Sequence, residues 1–190
     1  MTKDDIITLP APQLRHKSDK VHVVTDQTRT VIDDMVSAAL DWEDSRPHEI
    51  SAALAAVQVN HMERIVIVRS DFDDKYVRDF TALINPEIVK YEGEIVHDYE
   101  GCLSVSNIYG KVPRHNKIRI KALNENGEEV RFKAEGFLAR VIQHEVDHTN
   151  GIVFIDHIHD QTDAFYTLDE KGELEPLDYD EHVKNSRILW

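Results

Sequence analysis

The hydrophobic positions of this chain change period twice. Between Thr25 and Leu40, the residues Val31, Ile32, Met35, Val36, Ala39 and Leu40 form an i, i+4 stripe. That stripe predicts an amphipathic helix, which Asp26 can cap. From Arg64 the pattern shortens. Arg64 to Val68 is a short β-branched run, Ala82 to Tyr91 and Glu94 to Tyr99 flank Gly93, and Ile118, Ile120 and Ala122 alternate. Asn126-Gly127 then reads as a hairpin turn into Val130, Phe132 and Ala134. Helical spacing returns with Phe137, Leu138, Val141 and Ile142, and Asn150-Gly151 supplies a stop. Helices at either end of a run of strands predict an α+β fold: a single domain of mixed, mainly antiparallel strands packed around the second helix, with an N-terminal helix besides.

After His157 the pattern weakens. Ala164 to Leu168 and Leu174 to Leu177 surround Glu170-Lys171-Gly172, which reads as a small hairpin, and the apolar end Ile188-Leu189-Trp190 is expected to dock on the same domain. No internal repeat or low-complexity linker interrupts the chain.

Composition narrows the function. A chain of 190 residues with 41% hydrophobic content can bury one sizeable core. With 22 basic against 36 acidic residues, its net charge of -14 repels nucleic acid across most of the surface. DNA is excluded as a partner, and contact with ribosomal RNA would need a local basic patch. No apolar run approaches membrane-spanning length, and Met1-Thr2-Lys3-Asp4-Asp5 lacks the basic and apolar regions of a signal peptide, so a cytoplasmic protein is expected.

The chemistry is concentrated in His144-Glu145-Val146-Asp147-His148, at the end of the second predicted helix. Two imidazoles four residues apart lie on one helical face within reach of a single ion, and the carboxylate of Glu145 is close enough to move a proton. The same string also arises on solvated helices, but the apolar flanks here favour burial, where polar groups need partners. Cys102 offers a third ligand. It is the only cysteine, so it has no disulfide partner in the chain, and it lies within Glu100-Gly101-Cys102-Leu103-Ser104. Alone it would read as a small hydrophobe; beside the histidine pair it reads as a thiolate ligand. Cysteine with two histidines leaves one position of a tetrahedral ion open, as in catalytic sites, and suits Zn2+, Fe2+, Co2+ or Ni2+ alike. The remaining histidines, His157 and His159 included, carry no ligand pattern.

Together these strings resemble the peptide deformylases, which remove the formyl group from the N-terminal methionine of new proteins. That family carries a GxGLAAxQ segment, EGCLS and QHExDH. The second is complete here as Glu100 to Ser104 and the third as Gln143 to His148; the first is kept in part, as Ser51-Ala52-Ala53-Leu54-Ala55-Ala56-Val57-Gln58. Leu9-Pro10-Ala11-Pro12-Gln13-Leu14-Arg15 and Ile32-Asp33-Asp34-Met35 also look like the family's N-terminal region, and the likeness runs over about residues 6 to 158. It implies a catalytic unit over residues 1–158 and an extension over 159–190, packed on the same domain as a hairpin plus tail.

The resemblance also implies roles. Cys102, His144 and His148 would hold one divalent ion, Fe2+ in the cell, with Zn2+, Ni2+ or Co2+ as replacements. Glu145 would be the general base and then the acid, while the Gln58 side-chain amide and the Leu103 backbone N–H would meet the developing oxyanion. Ser51, Ala53 and Leu54 would line the substrate, an N-formyl-methionyl peptide, which pairs with that segment like an added strand. Transient contact with the ribosome would follow. Glu100 and Asp147 would support the site rather than ligate, by pairing with Arg114 or by holding an imidazole N–H. Both glycines of the first motif are absent, replaced by Ser51 and Ala53, and Val57, Asn60, Ser106 and Thr149 also depart from common family residues. Those departures motivate an alternative, a weakly active or inactive relative that binds formyl-peptides or nascent chains. A peptidase acting on internal bonds is disfavoured by Glu100 to Ser104.

Overall fold

A computed structural model describes residues 1–46, 48–186 and 188. Helix α1 spans Asp26–Asp44, longer than its apolar stripe. Thr25 caps it, rather than Asp26. Thr25 has the extended backbone a cap needs, and it exchanges hydrogen bonds with Thr28: the Thr28 N–H donates to Thr25 Oγ1 at 3.4 Å and the Thr25 N–H to Thr28 Oγ1 at 3.1 Å. Asp26 sits inside the first turn, where its charge complements the helix dipole.

The strands are β1 (Ala53–Ala55), β2 (Ile65–Arg69), β3 (Phe80–Cys102), β4 (Val105–Leu123), β5 (Glu129–Glu135), β6 (Phe165–Leu168) and β7 (Leu174–Pro176). Every pairing between these strands is antiparallel. The order is β1-β2-β3-β4-β6-β7, with β5 also on β4. The two strands expected on either side of Gly93 are one. Gly93 adopts φ +72 and the register shifts between Glu92 and Ile95, so the chain bulges and continues instead of turning. The positive φ explains the glycine, and a Cβ there would also displace the Asn116 side chain, whose Oδ1 would lie 2.0 Å away.

Helix α2 (Gly136–His148) and α1 cover opposite faces of the inner sheet. Alternation along β1 and β2 divides the core: Ala53, Ala55, Val66 and Val68 pack towards Ala139, Ile142 and Val146 of α2. Leu54, Ile65 and Ile67 pack towards Val31, Met35 and Ala39 of α1. A third cluster joins Val112 of β4 to Phe154, Ile158, Phe165 and Val183, with Ile188 against it. Leu189 and Trp190 of the expected apolar tail lie outside the described residues. Helix α2, buried over most of its length against the sheet, is the platform of the site. No described helix is long and apolar enough to cross a membrane.

Candidate metal centre

Gln143 fixes α2 to the sheet. Its Nε2 donates to the carbonyls of His115 (2.8 Å) and Ala139 (2.8 Å), and its Oε1 accepts from the His115 N–H (3.2 Å). The next residue and its i+4 partner, His144 and His148, then face one way with ring centroids 4.9 Å apart. Cys102 ends β3, at a turn that pairs it with Val105. The turn delivers the sulfur to the helix.

Cys102 Sγ lies 3.2 Å from His148 Nε2, and His148 Nε2 lies 3.2 Å from His144 Nε2. One atom from each of the three residues falls within 4.8 Å of the others. Tetrahedral coordination at ordinary metal–nitrogen and metal–sulfur lengths separates such atoms by about 3.3–3.6 Å, so the donor set fits a divalent ion in both chemistry and spacing. These residues form the metal site.

The ring orientation has an electrostatic cause. His144 Nδ1 is 2.9 Å from Glu100 Oε2. Glu100 also accepts from Arg114 Nε (2.9 Å), Arg114 Nη2 (3.0 Å) and Arg140 Nη1 (2.7 Å). Burial pushes the Glu100 carboxyl up, but its bonds to His144 and Arg114 outweigh burial and hold it far below the usual carboxylate range. An ionised carboxylate only accepts, so Nδ1 of His144 donates and Nε2 is turned towards the metal site; burial lowers the pKa of this ring, but Cys102 and Glu100 raise it well above the ordinary value, so an ion bound at Nε2 would displace a proton. His148 is neutral chiefly because it is buried, which lowers its pKa well below the ordinary value. Asp147 points away from the ligands to Arg114 Nη1 and His157 Nε2. Burial would raise its pKa, yet these two partners lower it.

Glu145 differs from its neighbours. Its side chain is buried, its Oε2 has no hydrogen-bond partner among the described residues, and desolvation pushes its carboxyl up to about 7. It lines a cleft of about 400 Å³ together with Gln58, Cys102, Leu103 and His144. Gln58 is oriented by its own backbone neighbourhood. Its Oε1 accepts from the Ala55 N–H at 2.9 Å, which turns Nε2 towards Ser104 Oγ (3.1 Å) and Cys102 Sγ (3.5 Å).

A family model described as polypeptide deformylase matches residues 3–164. The chain belongs to the peptide deformylase family. It is 43% identical over 143 residues to peptide deformylase 2 of Clostridium acetobutylicum, covering 75% of this chain and 87% of that one. It is 40% identical over 173 residues to the peptide deformylase of Thermomicrobium roseum, covering 88% and 93%. The crystal structure of a Synechococcus elongatus peptide deformylase in complex with actinonin is similar at TM-score 0.73 and 30% identity, covering 82% of this chain and 80% of that one. A Met-Ala-Ser-bound class I type b enzyme from Acinetobacter baumannii gives TM-score 0.71 at 30% identity, covering 80% and 96%. With its Cys-His-His site, this chain is a peptide deformylase, a metal-dependent hydrolase.

The first-motif residues divide in this deformylase. Ala53 lines the cleft, whereas Leu54 is fully buried under α1. Ser51 is also fully buried and absent from the cleft lining, its N–H donating to Glu43 Oε2 at 2.9 Å. Leu103 lines the cleft and packs towards the α1 core. Strand β1 is the end of the sheet, paired with β2 on one side.

Two features of the site went unread in the sequence. Arg140, one turn before His144, is a buried charge in an otherwise apolar helical stretch; besides Glu100 it donates to the carbonyls of Val112 (2.8 Å) and Val96 (2.7 Å). A charged residue on the buried face one turn ahead of a ligand was the available signal. The cleft also reaches Phe137, Leu168 and Leu174. No local pattern connects the last two with residues so far back in the chain.

Proposed function

We propose that this deformylase hydrolyses the formyl group from N-formyl-methionyl peptides, releasing formate and a free amino terminus. Cys102, His144 and His148 would hold the divalent ion, Fe2+ in the cell, which would supply Lewis acidity and lower the pKa of water. Glu145 takes a proton from the attacking water as oxygen adds to the formyl carbon. It returns that proton to the nitrogen as the C–N bond breaks. Gln58 Nε2 and the Leu103 N–H donate to the formyl oxygen as it becomes anionic. The peptide backbone lies along the edge of β1 beside Ala53, like an added strand. Cytoplasmic work on nascent chains, with transient ribosome contact, fits this reading.

One observation carries it most directly. A buried carboxyl with a partnerless oxygen and a raised pKa, in a cleft beside three converging ligand atoms, is suited to proton transfer and to little else. Formate release from a formyl-Met-Ala-Ser peptide, with protein loaded anaerobically with Fe2+, tests the proposal. Metal-dependent release supports it. A fully loaded protein that releases no formate refutes it.

A further inference from the structure

The small hairpin after the family match builds part of the cleft. The match ends at residue 164, and β6 begins at Phe165. Strand β6 joins the sheet through Tyr166 opposite Tyr109 and Phe165 opposite Gly110, and Tyr99 meets Tyr166 edge-on with centroids 4.9 Å apart. From that anchorage the hairpin crosses to the segment that follows α1. A Cβ on Gly172 would lie 3.1 Å from His48 Cβ, so the turn rests against that segment. The turn is itself braced, since the Gly172 N–H donates to the Asp169 carbonyl at 3.0 Å and the Lys171 N–H to Asp169 Oδ1 at 2.8 Å. The hairpin closes a wall.

Leu168 and Leu174 are cross-strand partners at the end of this wall, and both line the cleft that contains Cys102, His144 and Glu145. Opposed residues on antiparallel strands point to one side, so the two side chains form one apolar patch. Leu174 remains 37% exposed, and Phe137, at the start of α2 and lining the same cleft, 49%. Open apolar surface inside a cleft favours an apolar occupant. A second cavity of about 330 Å³ shares Leu168 and Gly172 with the first but includes none of the metal ligands, Glu145 or Gln58. The hairpin therefore stands at the end of the cleft away from the reacting centre. Because β6 lies between β4 and β7, it recognises through side chains rather than through a free strand edge.

We propose that the β6–β7 hairpin is a specificity wall for the peptide beyond the formyl-methionine, with Leu168 and Leu174 favouring an apolar side chain at the second or third residue. The proposal rests on the deformylase reading above. The test compares formyl-Met-Leu-Ser and formyl-Met-Ala-Leu with formyl-Met-Ala-Ser by kcat/KM on the metal-loaded protein. In parallel, calorimetry gives the Kd of the three deformylated peptides. Wild type should prefer one of the leucine peptides in both measurements. Leu174→Ser should reduce that preference by about three- to tenfold, mostly through KM, as expected for losing part of one leucine's apolar contact. Leu174→Met should restore it, which a hairpin merely loosened by substitution would not do. Equal treatment of the three peptides by wild type, a preference untouched in Leu174→Ser, or failure of Leu174→Met to recover it overturns the proposal. Peptides bound with the preference but never deformylated would instead refute the catalytic reading and leave the wall standing.

Discussion

Glu100→Gln isolates the electrostatic support of the metal site. The substitution keeps the shape of the side chain and removes one negative charge from a pocket where the Arg114 and Arg140 side chains are 5% and 7% exposed. Glu100 takes part in four hydrogen bonds, two through each oxygen. The amide oxygen can still accept from Arg114 Nε and Arg140 Nη1, but the amide nitrogen cannot accept from Arg114 Nη2 or His144 Nδ1. Two charge-assisted bonds are lost, each worth about 1.5–3 kcal/mol. Counted instead as the breaking of a buried pair, since the guanidinium groups lose the charge opposite them, the same loss costs about 3–5 kcal/mol. The expected destabilisation is about 3–5 kcal/mol. An amide N–H facing Nδ1 also favours the tautomer whose proton sits on Nε2, towards the ion, so metal affinity should fall about 10- to 100-fold. Urea unfolding at equal metal loading measures the first effect and competitive metal titration the second. A loss below about 1 kcal/mol with unchanged metal affinity would show that Glu100 neither offsets the two arginines nor sets the ring of His144.

Cys102→Ser should lose metal and hydrolysis together, because an alcohol is a far poorer anionic ligand than a thiol; one retained equivalent by elemental analysis at wild-type turnover would contradict the ligand assignment. Glu145→Gln should keep its metal while kcat falls about a hundredfold or more, and a variant retaining over about a tenth of the wild-type rate would exclude Glu145 as the proton carrier. Asp147 is held below its ordinary pKa in the folded protein, so the stability it contributes is present above the unfolded carboxyl value, near 4, and fades as pH falls through the folded value. Urea midpoints measured from pH 6 down to pH 3 should therefore fall less steeply for Asp147→Asn than for wild type; parallel curves would dissociate Asp147 from acid sensitivity.

The parts legible in the sequence were those with local periodicity or a dense motif. Helix α2 announced itself because its apolar face and its ligands share one turn-by-turn spacing, and the motif strings carried the three ligands. The β3–β4 hairpin was legible only at its base. Beyond the core it exposes Val89, Tyr91, Ile95 and Tyr99, so alternation no longer distinguishes one face from the other. On β4, hydropathy alone assigns buried Arg114 to solvent, and only its expected pairing with Glu100 and Asp147, which the structure bears out, pointed inward. The outer wall of the cleft was illegible for a different reason: Leu168 and Leu174 reach the cleft only by folding back over residues from three earlier segments, 42–58, 99–109 and 137–145.

The origin of the ligands in separate segments also bears on how long the loaded protein stays folded. Cys102 and His148 are 46 positions apart and meet only after α2 has docked on the completed β3–β4 hairpin. Neither the hairpin nor the helix alone presents all three donors, so an ion that needs all three binds after the slow, non-local pairing has been accomplished. Its free energy therefore deepens the native well more than it lowers the folding barrier. The metal acts as a latch on the unfolding rate, prolonging the life of the folded enzyme without hastening its birth.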